Sequence, residues 1–120
     1  MVQRIEGMPA GTIGLRTSGK LTKDDYRDVL EPAIKEAVDS GEARVLCVLE
    51  SYDGLEPGAW IEDLKTGLGM GHRSAWKRMS LLTDVEWIQR ATKLFAWMIP
   101  GEVLVGGLDQ EDHAKRWIAE

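Results

Sequence analysis

The sequence predicts an α/β fold: a mixed, mostly parallel five-stranded sheet with four helices, in the order β-β-α-β-α-β-α-β-α. Three observations lead there. Residues 22–41 carry apolar side chains at three-four spacing, the run Val45–Leu49 is apolar at five consecutive positions, and helical and extended patterns then alternate to the last residue. With 120 residues the chain has the size of one domain, and folding a chain of this length buries roughly two thirds of its surface.

The first elements are two short extended runs, Val2 to Ile5 and Thr12 to Thr17, separated by "EGMPAG". Pro9 and Gly11 mark the turn of a hairpin. In the helix that follows, Tyr26, Val29, Leu30, Ala33, Ile34, Ala37 and Val38 share one stripe. Thr22 is its expected N-cap, Asp24 and Asp25 suit the positive end of its dipole, and Gly41 ends it. Pro32 has no N–H to give Asp28, and its ring crowds that turn, so a bend is expected there.

"RVLCVLE", Arg44 to Glu50, lacks the alternation of a half-solvated strand and reads as one buried on both faces of a parallel sheet. After the polar loop "ESYDG", Pro57 fits the first turn of a second helix with Trp60, Ile61, Leu64 and Leu68 inward, stopped by "GLGMGH". Trp76 to Leu82 reads as the next strand. "TDVE", Thr83 to Glu86, has the spacing of a capping box opening a third helix, with Val85, Ile88, Ala91, Leu94 or Phe95, and Met98 as its apolar face. Pro100 and Gly101 break that helix. A short strand, Val103 to Val105, precedes a final helix capped by Asp109 and closed inward by Ala114, Trp117 and Ile118.

The order of these elements, together with "GKLTKDDY", "RVLCVLE" followed by "YDG", "AWIEDLK", "RMSLLTDVEW" and "EDHAKRWIAE", resembles the SpoIIAA-like family of small bacterial proteins. That family is related in fold to the STAS domains of anti-sigma-factor antagonists and to CRAL-TRIO lipid carriers. The resemblance implies a non-enzymatic, cytoplasmic binding or regulatory module. STAS antagonists are switched on a serine in an Asp-Ser loop that opens the second helix. Here Ser51 directly follows the strand in "LESYDG", before the expected helix start at Pro57, and so departs from that pattern. The CRAL-TRIO relationship implies, as the alternative, a carrier of a small hydrophobic or lipid-like molecule.

Chemistry is less legible than architecture. Basic residues number 15 and acidic ones 20, giving 15 − 20 = −5, a balance that disfavours a nucleic-acid partner, which needs clustered Lys and Arg. Two separated histidines and the single Cys47 do not supply a three- or four-ligand metal set, and no cofactor is expected. Cys47 reads as a small buried hydrophobe in a reducing compartment. The amino terminus has no signal-peptide pattern, and no apolar run approaches the roughly 18 to 20 residues that span a bilayer. His72, in the glycine-rich exit loop, and His113, on an outer helix face, are poorly placed as bases for a serine nucleophile, and "GxSxG" is missing.

In open α/β sheets, ligands gather beyond the carboxyl ends of the parallel strands. That rule makes Ser51, Tyr52 and Asp53, together with Leu82 to Trp87, the expected place of action. Ser51 reads first as a loop hydroxyl bonding backbone. As a phosphoacceptor it would add charge beside Glu50 and Asp53, which already make the loop negative. Trp60, Trp87, Phe95, Trp97 and Met98 are the expected apolar contacts with a ligand or partner. The consecutive apolar groups of "KLFAWMIPG" exceed one helical stripe, and a homodimer through Phe95 to Ile99 is expected on that ground.

Overall fold

A computed structural model describes residues 1–20, 22–51, 76–96 and 101–120, apart from the side chains of Lys23, Tyr26 and Phe95. Its centre is one five-stranded sheet in the order β1-β2-β3-β4-β5. The strands are β1 (Val2–Arg4), β2 (Ile13–Thr17), β3 (Ala43–Leu49), β4 (Trp76–Thr83) and β5 (Glu102–Gly106). β1 runs antiparallel to β2, and every later pairing is parallel. The helices are α1 (Lys23–Asp25), a π-helical turn (Tyr26–Leu30), α2 (Glu31–Asp39), α3 (Glu86–Phe95) and α4 (Glu111–Ala119). A 3-10 turn, Leu108–Gln110, leads into α4. The predicted helix beginning at Pro57, with Trp60, Ile61, Leu64 and Leu68, lies outside the described residues.

β3 occupies the middle because its sequence can be buried on either face. Ala43, Val45 and Cys47 point into one core with Leu15 and Val2 from β2 and β1 and Ala33, Ile34 and Ala37 from α2. Leu46 and Val48 point into the other, with Leu82 of β4 and Ala114 of α4. Leu46, Leu82 and Ile118 are fully buried. Cys47 packs among apolar groups, and burial pushes its thiol up to about 11, which leaves it inert at neutral pH.

The hairpin folds back over the second core. Ile5 N–H donates to Gly14 O at 2.8 Å, and Ile5 and Met8 lie over β2 at Gly14. A Cβ on Gly14 would sit 2.8 Å from Met8 Sδ and 2.9 Å from Ile5 Cβ, so the approach requires glycine.

The first helix starts as its sequence implies. Asp25 N–H donates to Thr22 Oγ1 at 3.1 Å, while Thr22 N–H donates to Asp25 Oδ2 at 3.0 Å, a reciprocal cap. Before Pro32, where a bend is expected, the helix passes through a π-helical turn, Tyr26–Leu30. That turn places Pro32 within the first two positions of α2, where a missing N–H is tolerated. At the other end, Gly41 adopts φ +87° and donates to Val38 O at 3.0 Å, ending the helix in a left-handed residue.

Two predicted caps are corrected. Thr83 is still paired in the sheet, opposite Leu49, and fully buried. It therefore cannot leave the strand to cap a helix. Its Oγ1 accepts from Val85 N–H, α3 starts at Glu86 without a side-chain cap, and the Glu86 carboxylate turns to Arg90. Asp109 likewise lies inside the 3-10 turn, and α4 begins at Glu111 with no side-chain cap.

Arginines on the second face hold α4 at both ends. Arg44 Nη1 donates to Ile118 O at 2.8 Å and Arg78 Nη1 to Trp117 O at 2.6 Å. Arg44 thus bonds a carbonyl of the last turn, Arg78 adds a second donor to Trp117 O, which also accepts Glu120 N–H at 3.1 Å, and both place positive charge at the negative end of the dipole. Arg78 also stacks on Trp117, 4.8 Å from the ring centroid. At the first turn, Arg16 Nη2 donates to Glu111 Oε2 at 2.9 Å, with Lys115 Nζ 3.2 Å from the same oxygen.

The hydrogen bond from Arg16 holds the Glu111 carboxyl below its ordinary 4.5, outweighing the opposing effect of burial, with Lys115 assisting. A carboxylate with a depressed folded pKa stabilises the fold above its unfolded pKa and loses that contribution as pH falls. Glu111→Gln should therefore cost about 1 kcal/mol at neutral pH. The difference from the parent should shrink below about pH 4.5, as measured by urea unfolding across pH. Leu46→Ala should cost about 2–5 kcal/mol by the same assay.

Candidate functional site

Because β2 to β5 are parallel, their carboxyl ends form one rim. Ser18 and Gly19 leave β2 there, Glu50 and Ser51 leave β3, Asp84 leaves β4 and Gly107 leaves β5. The exits of β2 and β3 are tied together. Glu50 N–H donates to Thr17 O at 2.9 Å, and Gly19 N–H donates to Ser51 Oγ at 2.9 Å. Ser51 is exposed, and its oxygen completes the backbone bonding of the neighbouring exit. The expected bond to its own turn is thus corrected to a bond with the backbone of the neighbouring strand exit.

The exits of β4 and β5 are joined by a residue the sequence reading missed. Gln89 Nε2 donates to Thr83 O and to Gly106 O, the latter at 3.2 Å, so one amide bridges two strand ends. Its signal was a polar residue on the inward side of α3, one turn into the helix. Asp84, read from sequence as part of a cap, instead accepts Leu108 N–H at Oδ1, 3.1 Å away. Its Oδ1 and that of Asp109 would each lie 3.0 Å from a Cβ placed on Gly107, so two exposed carboxylates flank that glycine.

The rim therefore mixes charges. Glu50 Oε1 lies 3.9 Å from Arg16 Nε, and Arg16 spans from Glu50 to Glu111. The hydrogen bond to Glu111 strengthens proton binding by Arg16, so its positive charge is fixed. Among the described residues no group of three or more His, Cys, Asp or Glu side chains could hold a metal ion. His113 is exposed on α4, and His72 lies outside the described residues.

Trp87 lies in the first turn of α3, next to the rim, with 59% of its surface exposed. Leu94, two turns on, is 67% exposed and so is not the inward member of the pair Leu94 or Phe95. The structure thus brings Ser51 and Trp87 to the same end of the sheet. Tyr52, Asp53, Trp60, Trp97 and Met98 lie outside the described residues, as does the side chain of Phe95. The apolar segment to Ile99 falls there too, beyond Ala96.

The profile of the SpoIIAA-like family matches residues 12–119. The chain belongs to the SpoIIAA-like family. The expected fold agrees with a crystal structure of an uncharacterized protein of the DUF3478 family with a SpoIIAA-like fold, from Shewanella loihica PV-4. It superposes with a TM-score of 0.68 at 24% identity, covering 98% of this chain and 93% of that one. No curated protein matches the sequence. Among the described residues of this SpoIIAA-like chain, no helix is long and apolar enough to cross a membrane.

Removing the Ser51 hydroxyl tests its structural role. Ser51→Ala should speed amide exchange of Gly19 several-fold, while costing less than about 1 kcal/mol of global stability because the site is exposed. Proton-exchange NMR reads the first and denaturant unfolding the second.

Proposed function

We propose that this SpoIIAA-like chain is a single-domain, non-enzymatic binding module that docks a partner at the carboxyl rim of its sheet and along the adjoining outer face of α3. The observation that carries the reading is Trp87, a large aromatic group 59% exposed at the rim end of α3. Exposed aromatic anchors with a polar surround are what partner sites use. Ser51, Glu50 and Asp84 supply that polar surround. The rim's polar groups are engaged in holding strand ends together, as with Ser51 on Gly19 and Gln89 on Thr83 and Gly106. This suits recognition by a preformed surface better than proton transfer. The reading assigns the protein to the cytoplasm of a bacterium.

The rival reading is a carrier with a CRAL-TRIO-like pocket for an apolar molecule, drawing on Trp60, Trp87, Phe95, Trp97 and Met98. Purification from the native host, followed by solvent extraction and mass spectrometry, separates the two. The binding-module reading expects no stoichiometric apolar ligand and a partner whose affinity falls about tenfold or more on Trp87→Ala. A co-purifying lipid-like molecule at one per chain would replace it with the carrier.

A further inference from the structure

The outer face of α3 carries a pattern that is complementary to itself. Trp87 and Leu94 are seven residues apart, two turns of helix and about 10 Å along the axis, and so lie on one line. Both are largely exposed. Along the other margin of the same face, Glu86 stands at the amino end and Lys93 at the carboxyl end, both exposed. Between the two margins lies Arg90, drawn back onto Glu86 by an ion pair one turn earlier.

When two such helices pack antiparallel about a twofold axis, each margin meets the same margin of the other copy with its ends reversed. The apolar margin then sets Trp87 of one copy against Leu94 of the second. The charged margin sets Glu86 against Lys93. The same twofold axis near Arg90 serves both pairings. Arg90 points away from that axis because its guanidinium is held by its own Glu86, so the two like charges diverge. A parallel pairing would instead cross the margins, setting Glu86 against Trp87 and Lys93 against Leu94, so that each charged group meets an apolar one and neither margin finds its complement.

We propose that the partner of the α3 face is a second copy of this chain, bound antiparallel with Trp87 on Leu94 and Glu86 on Lys93. This rests on the reading that α3 presents a docking surface, and it names the occupant. A helix of ten residues offers less than the roughly 1,200 Å² of a standard interface, which puts the contact in the weak, concentration-dependent class.

Sedimentation velocity on the full chain, over a concentration series reaching about 1 mM, the weak end of the affinity scale, tests the proposal. The parent should associate reversibly. Leu94→Glu should weaken association about tenfold or more, and Glu86→Lys should weaken it several-fold. The double exchange Glu86→Lys with Lys93→Glu, made together with Arg90→Gln because Glu86 no longer holds that guanidinium aside, should restore it, because both ends of both copies are reversed together. Far-UV circular dichroism of each variant separates lost contact from lost fold, and all the altered positions are exposed. A parent that stays monomeric throughout overturns the second copy as occupant, as does association indifferent to Leu94→Glu or a double exchange that fails to restore it. None of these results touches the broader docking reading, which stands or falls on the partner and ligand search in the host.

Discussion

β3 is held by strand pairing on both edges and by packing on both faces, and the rest of the molecule is arranged around that double demand. A parallel neighbour on each side, β2 and β4, needs a crossover connection each time, because parallel strands cannot be joined by a tight turn. The helix formed by residues 23–39 is one such crossover, and α3 is the connection from β4 to β5. Parallel pairing from β2 to β5 also gathers four carboxyl ends at one rim. The position of the rim proposed as the docking place thus follows from the burial of Val45, Leu46 and Val48.

The second face shows how charge is used to close such a layer. α4 has to sit across strands that run against it, and its termini would otherwise leave carbonyls and amides unpaired. Arg44 and Arg78, neighbours across β3 and β4, reach its last carbonyls, while Arg16 reaches Glu111 in its first turn. All three arginines point to the same face as Leu46 and Val48. Long side chains of this kind cover apolar surface with their stems while their heads bind at the margin. The apolar contribution of Ala114 and Ile118 and the polar contribution of the arginines therefore act on one short helix together.

Periodicity and burial made most of the architecture legible. The unalternating run at β3, the three-four stripe with Ala33, Ile34 and Ala37, and the inward Ala114 and Ile118 of α4 were all readable because apolar spacing directly reports which faces are covered. Thr22 was readable because a cap is a local device. Thr83 and Asp109 were misread for a related reason: a cap motif gives spacing but not whether its first residue is already committed to a sheet. The rim was legible only as a location. Gln89 joins Thr83 to Gly106, and Ser51 joins β3 to Gly19, through bonds between segments distant in sequence, which no short window contains. Trp87 was singled out as an apolar contact, yet only the three-dimensional fold shows it turned outward beside the rim.

In the proposed reading, function enters this fold through position more than through reactive groups. A fully bonded central strand gives the rim a rigid base, and a rigid base lets a small set of exposed groups present a defined surface. Native-state hydrogen exchange on β3 tests that foundation most directly. The amides of Leu46, Cys47 and Val48 should exchange only through global unfolding, at the slowest rates in the chain and with the free energy measured by denaturant. Exchange at these positions as fast as in the edge strand Val2–Arg4 would contradict a central β3, and with it the rim as the molecule's working end.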